Sequence, residues 1–375
     1  MEKAKISAKQ LFVIVVLFEM GTAILVGFPT QLKQDAWIPI PLGMAGGVLL
    51  CLVYHRLFTF YPDLPLTGYV QKIVGKWVGK VIAFLYIIYY TYLASRILRD
   101  FGELLTSTIY TQTPLFFLMT ILILTSSYAI HKGFEVIARV GELFFAVIYF
   151  MAIVGFFLII FSGLIHMENL KPMFENDWKA IFKATLTQTL TFPFGEMVVF
   201  TMLLPYVNKP EKTRYVGIFG MVLSGVNFTI AAIVNIATLG TDLFMRSPYP
   251  LLSTVSKIQL ANFIERLDVL FMLYLMIAGF IKVTVFYYAA VIGAADVFKL
   301  KSYRQICFPF AILILLTAVI IAPNYTEHIQ EGLKVVPIYL HWPFQILIPC
   351  TLLLIAVIRN RFTAKKKSST EEYSQ

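Results

Sequence analysis

Two long apolar stretches of this 375-residue chain are interrupted at matching places, Phe18-Glu19-Met20-Gly21-Thr22 and Thr191-Phe192-Pro193-Phe194-Gly195-Glu196. Each interruption sets a carboxylate beside or near a glycine. In hydrocarbon an unwound backbone and an ionisable side chain each cost several kcal/mol, so both persist where they line a cavity or bind something. The two sites lie about half the chain apart, where an inverted-repeat transporter opens the first helix of each half around its substrate.

The rest of the chain is equally apolar, with 59% hydrophobic and 14% charged residues and a mean hydropathy of +0.78. A soluble globule of this length is excluded. Windows long enough to cross ~30 Å of hydrocarbon, about 20 residues each, fall near 10–29, 39–55, 78–98, 114–130, 141–165, 181–204, 215–239, 267–295, 306–322 and 337–358. Ten helices in a single permease-like domain over 1–362 are therefore predicted, with 363–375 as a disordered tail. The first window reads as a span and not as a cleavable leader, because it is long, carries Glu19 and is followed by further spans.

Basic residues orient the bundle. With the amino terminus inside, twenty of the 31 lysines and arginines lie in cytoplasmic segments and eight in outer loops, while Arg96, Lys183 and Lys282 lie at or within membrane depth. Both termini are then expected in the cytoplasm. The net charge of +10 suits an anionic inner leaflet facing these loops and the Lys365-Lys366-Lys367 tail. It needs no nucleic-acid partner, since no groove pattern of basic and aromatic residues accompanies it.

Motifs for bond-making chemistry are missing from the sequence. Cys51, Cys307 and Cys350 stand singly, and the histidines lack metal-ligand spacing, so no metal, cofactor or disulfide framework is implied. His131 and Glu135 share one face if helical, a pattern that a solvated pair explains. No nucleophile elbow or phosphate loop is present, and an enzyme is not expected. Two amphipathic stretches lie outside the spans. Leu66, Tyr69, Val70, Ile73, Val74 and Trp77 oppose Lys72, Lys76 and Lys80, as in a helix lying on the interface. Leu251, Leu252, Val255, Ile258, Phe263 and Ile264 follow Pro248-Tyr249-Pro250 and either close over an outer vestibule or float there.

Candidate site residues cluster at the interruptions. Gly21 and Thr22 would open the second half of the first span, offering free N–H groups and a positive helix end to a carboxylate ligand; a simple glycine kink is the alternative. Phe192 and Phe194 flank Pro193 as gates or as core packing. Glu196 would complement the positive end of a half-helix, an interaction of ~0.3–1 kcal/mol. Glu19, at a negative helix end, needs a proton, a ligand or a cation, and Lys282 in the eighth span is its partner by charge, the alternative being a lysine that snorkels or caps carbonyls. Thr284 and Tyr288 share one helical face, as do Tyr89 and Tyr92, and each pair would make a polar wall.

The run TFPFGEMVVFTMLLPYVNKPEK, Thr191 to Lys212, resembles the sixth-span signature of the B subunits of nutrient germinant receptors from endospore-forming bacteria. GTAILVGFP from Gly21 to Pro29, KPMFENDW from Lys171 to Trp178 and the basic tail agree, so the resemblance covers nearly the whole chain. That family is similar to amino-acid permeases of the APC superfamily. The resemblance implies a LeuT-like arrangement of five plus five helices with broken first and sixth helices, and an A subunit and a lipoprotein C subunit as partners. It also implies residence in the spore inner membrane. The expected function is to bind an amino acid or sugar and trigger germination. A proton-coupled amino-acid transporter working through Glu19 or Glu196 is the competing reading, and fold alone does not separate the two.

Overall fold

The computed structural model describes residues 5–26, 29–258 and 267–372. Helix α1 covers Ala8–Val26 and α2 Pro39–Phe60, entered through a proline at its first position, where a missing N–H costs nothing. Helices α3, Leu66–Val74, and α4, Lys76–Thr108, meet at Gly75, whose φ of 91° is open to glycine. Gly133, with φ 114°, makes the same kind of corner between α5, Leu115–Lys132, and α6, Phe134–Phe161. The chain continues through α7, Trp178–Ala184; α8, Thr213–Arg246; α9, Pro250–Val255; and α10, Leu267–Val297. Helix α11, Arg304–Ile320, then turns by 101° into α12, Tyr325–Lys334. A π-helical stretch, Pro337–Leu347, runs into α13, Ile348–Glu372; Pro343 inside that stretch removes a backbone donor and widens the coil.

Among the described residues, eight helices are long and apolar enough to cross a membrane, and α11 with α12 makes a ninth as a bent pair. The protein is a multi-pass, all-helical membrane protein. The one expected span not among these, the sixth at 181–204, is the broken one. Burial sorts the helices into a core and a rim: the apolar windows of α1, α10 and α4 are 78%, 72% and 67% buried, against 17% for α6. Helix α10 packs on α4 and α1, and α1 on α8. On α6, Leu143, Phe150 and Phe161 point outward, as a surface facing lipid tails requires.

The two interruptions behave differently. The sixth span is dismantled as expected: α7 gives way to a π-helical turn, Thr185–Thr189, then to the cis Phe192–Pro193 bond and a 3-10 helix, Phe194–Met202. The first span is not interrupted at Phe18–Thr22, because α1 stays helical from Ala8 to Val26. Gly21 serves there as a contact surface. A Cβ on it would lie 2.6 Å from Cδ and 2.8 Å from Cβ of Lys282, so its missing side chain lets α10 approach α1.

Other expectations shift at their edges. Leu66, Tyr69, Val70 and Ile73 are buried on α3, but Trp77 belongs to α4 and is 84% exposed. The third span continues past 98 to Thr108, which brings Arg99 out of the expected outer loop and into the bundle, bonded to Glu103 at 2.8 Å. His131 and Glu135 fall on different helices, and Glu135 pairs with Arg139 at 2.6 Å. Leu251 and Leu252 sit on or against the short helix α9, whereas Phe263 and Ile264 lie outside the described residues. KPMFENDW is tied down by buried Asp35, which accepts from Phe174 N at 2.8 Å, Asn176 N at 3.1 Å and Asn176 Nδ2 at 2.9 Å. On the amino-terminal face, Ile6 pairs with the chain leaving the sixth span, through Ile6 N to Tyr206 O and Asn208 N to Ile6 O, each 2.9 Å.

Candidate ligand-binding site

Four elements converge where the sixth span opens. Helix α1 brings Glu19 and Thr22, the segment 192–196 brings Phe192 and Glu196, α10 brings Lys282, and α4 brings Tyr89, Arg96 and Asp100. Glycines make the close approaches. A Cβ on Gly195 would lie 2.1 Å from Gln345 Oε1, so the π-helical stretch lies directly against the break. Tyr54 Oη donates to the Gln345 carbonyl at 2.6 Å and closes the same junction from α2.

Lys282 Nζ lies 2.6 Å from Glu196 Oε2, with the two side chains 0% and 3% exposed. The ammonium also stands over two rings, 4.7 Å from the centroid of Phe192 and 5.1 Å from that of Phe18. Glu19 is fully buried and neither of its oxygens has a hydrogen-bond partner. The pairing expected between Glu19 and Lys282 is thus replaced by Glu196–Lys282. The reason is geometric: Lys282 crosses α1 at Gly21 and its ammonium reaches the broken segment beyond. Thr22 Oγ1 and Gln345 Oε1 are likewise buried without a partner.

A cavity of about 50 Å³ opens beside this cluster, walled by Thr22, Phe192, Glu196, Arg96, Asp100 and His341. Ile329, Gly332 and Leu333 of α12 roof it. It has room for a few waters but falls well below the ~300–1,000 Å³ of pockets that enclose small ligands, so it must widen to take one. Asp100 Oδ1 meets His328 Nε2 at 2.8 Å, and Arg96 lies 3.6 Å from Glu331 and donates to the His328 carbonyl. These contacts hold α12 over the cavity. Beneath, Tyr89 Oη bonds His341 Nδ1 at 2.7 Å and receives Gln345 Nε2 at 2.9 Å.

Of the residues nominated from sequence, Thr22, Phe192 and Glu196 line the cavity. Tyr92 sits at its rim, its hydroxyl 3.3 Å from both Glu331 and Arg96. Phe194 is turned into the core against Phe228, with centroids 6.1 Å apart. Thr284 and Tyr288 face away: Thr284 lies 3.1 Å from Ser126 Oγ, and Tyr288 stacks on Phe134 at 5.0 Å. Arg96, Asp100, His328, His341 and Gln345 carry no motif. Their one signal is the i, i+4 spacing of Arg96 and Asp100 inside an apolar helix, which the assignment of the region past 98 to a loop conceals.

A helical bundle opened in its sixth span around a charged cavity is the architecture of the LeuT-type permeases. The fold matches MhsT, solved in complex with L-phenylalanine, with a TM-score of 0.66 at 14% identity over 95% of this chain and 89% of that one. It matches Mhp1, a nucleobase-cation-symport-1 family transporter in a closed conformation, with a TM-score of 0.66 at 12% identity over 88% and 75%. Sequence narrows the class: the family described as spore germination protein matches residues 5–326. Spore germination protein KB of Bacillus subtilis (strain 168) is 41% identical over 372 residues, 99% of each chain. YndE of the same organism is 24% identical over 80% of this chain and 82% of its own, and GerQB of Bacillus cereus 23% over 70% and 72%. The chain belongs to the spore germination protein family, as a permease of the germinant receptor B-subunit type.

Proposed function

We propose that this chain is the B subunit of a spore nutrient germinant receptor, which binds a small nutrient, an amino acid, in the central cavity and thereby triggers germination. The observation that carries the reading is Thr22 Oγ1, buried without a partner on the cavity wall, with Glu19 and Gln345 Oε1 buried without partners at the same break. Buried polar atoms without partners cost ~1–3 kcal/mol each, and a ligand that satisfies them recovers that cost on binding. Thr22, Phe192 and Glu196 are the residues proposed to touch it. An A subunit and a lipoprotein C subunit are the proposed partners, with the chain in the spore inner membrane and both termini cytoplasmic.

The family is one of spore germination permeases and the structural neighbours are transporters, which supports a binding role over an enzymatic one. The second reading, a proton-coupled amino-acid transporter, draws on Glu19, the buried carboxylate such a carrier would load with a proton. Spores and vesicles separate the two. Spores in which the chain is deleted and then restored should lose and regain their response to one set of amino acids. Vesicles holding the chain alone should show no uptake above leak under an imposed pH gradient. Concentrative uptake that Glu19→Gln abolishes would favour the carrier.

A further inference from the structure

Resting on the nutrient-binding reading, we infer that Arg96 is the anchor for the carboxylate of the ligand, and that Glu331 of α12 is a built-in competitor which the ligand displaces. The backbone of α1 cannot serve, because Gly21 and Thr22 lie inside a continuous helix and the stem of Lys282 fills the space at Gly21. Lys282 is committed to Glu196 at 2.6 Å. Arg99 is committed to Glu103 at 2.8 Å. Asp100, one turn on from Arg96, is held by His328 at 2.8 Å.

Arg96 remains. Its side chain is 8% exposed and lines the cavity, yet its carboxylate neighbour Glu331 stands at 3.6 Å and is 37% exposed. A guanidinium fork that binds a carboxylate well does so with two bonds of ~2.7–2.9 Å. The Glu331 contact is therefore loose, shared with the Tyr92 hydroxyl, and given up at small cost because Glu331 already reaches water. A ligand carboxylate inside the cavity would meet the same fork in a drier setting. Glu196 lies on the wall shared with Phe192 and Thr22 but is committed to Lys282, so only the carboxylate end of the ligand is assigned.

Displacement also has a mechanical result. Arg96 touches α12 at Glu331, at the His328 carbonyl and at Gly332, whose Cβ would fall 2.2 Å from Nη2. A carboxylate that draws the guanidinium into the cavity removes these holds and leaves Asp100–His328. Helix α12 is then the element that reports occupancy to the face on which it lies.

The test uses the full chain, purified into nanodiscs, with the unfolding midpoint read against the twenty common L-amino acids, the amides of those that bind, and D-glucose. At least one free amino acid should stabilise it, and its amide should bind about tenfold or more weakly. Glu331→Gln should tighten the free amino acid several-fold, and Arg96→Gln should abolish the shift, with Arg96→Lys between. Equal binding of acid and amide, or weaker binding in Glu331→Gln, would overturn the assignment, and both can be read even if Arg96→Gln fails to fold. A shift with D-glucose alone would sink the carboxylate anchor and keep nutrient binding; no shift with any of these would sink both.

Discussion

Nζ of Lys282 sits 2.6 Å from Oε2 of Glu196, in a place where neither side chain meets solvent and two aromatic rings enclose the ammonium. A pair so buried stands on its mutual attraction, and losing one partner leaves a bare charge at a cost of ~3–5 kcal/mol. Lys282→Met and Glu196→Gln should each lower the yield of folded protein, and the double variant should recover more than either, as read by size-exclusion profiles. Losses that simply add would show that the two charges do not interact.

Gly21 is the contact that lets Lys282 cross α1. A methyl there would press on the root of the lysine stem, at 2.6 and 2.8 Å, which has little room to retreat. Gly21→Ala should lower stability by ~1–3 kcal/mol, seen as a lower unfolding midpoint in nanodiscs. A midpoint equal to that of the parent chain would mean that α1 and α10 stand further apart.

Asp35 organises the loop before α7 through three short bonds from Phe174 and Asn176. Hydrogen bonds to a charged acceptor contribute ~1.5–3 kcal/mol each. Asp35→Ala should speed hydrogen exchange at the amides of Phe174 and Asn176 and open 171–177 to proteases, with the central cavity unaffected. Unchanged exchange at these amides would contradict the clamp.

How legible all this was in the sequence differs by feature. The spans were plain because hydropathy over about 20 residues reflects one physical quantity, the thickness of hydrocarbon. Glu19, Glu196 and Lys282 stood out because a charge in such a span is costly. Their pairing was hidden: α1 and the broken segment both pass Lys282, and which carboxylate it reaches depends on how closely α10 nests at Gly21. A glycine beside a carboxylate read as a break in α1, where it is a packing notch; at 191–196 a proline adds the stronger signal, and there the break is real. Asp100 was concealed because α4 runs ten residues beyond the window that hydropathy assigns it, and Arg96, though at membrane depth, has no sequence motif that ties it to the site. His328 and Glu331 belong to a polar segment that meets them only through the bend between α11 and α12.

Thr22→Val is the measurement closest to the central claim. The Thr22 hydroxyl is buried at the cavity wall with no partner, so replacing it with a methyl should leave the unfolding midpoint equal or slightly higher. Equilibrium binding of a radiolabelled amino acid that stabilises the parent chain should weaken by about tenfold, because the ligand loses the hydrogen bond proposed for Thr22. A stable Thr22→Val protein that binds the amino acid as tightly as its parent would contradict a ligand site at the break of the sixth span.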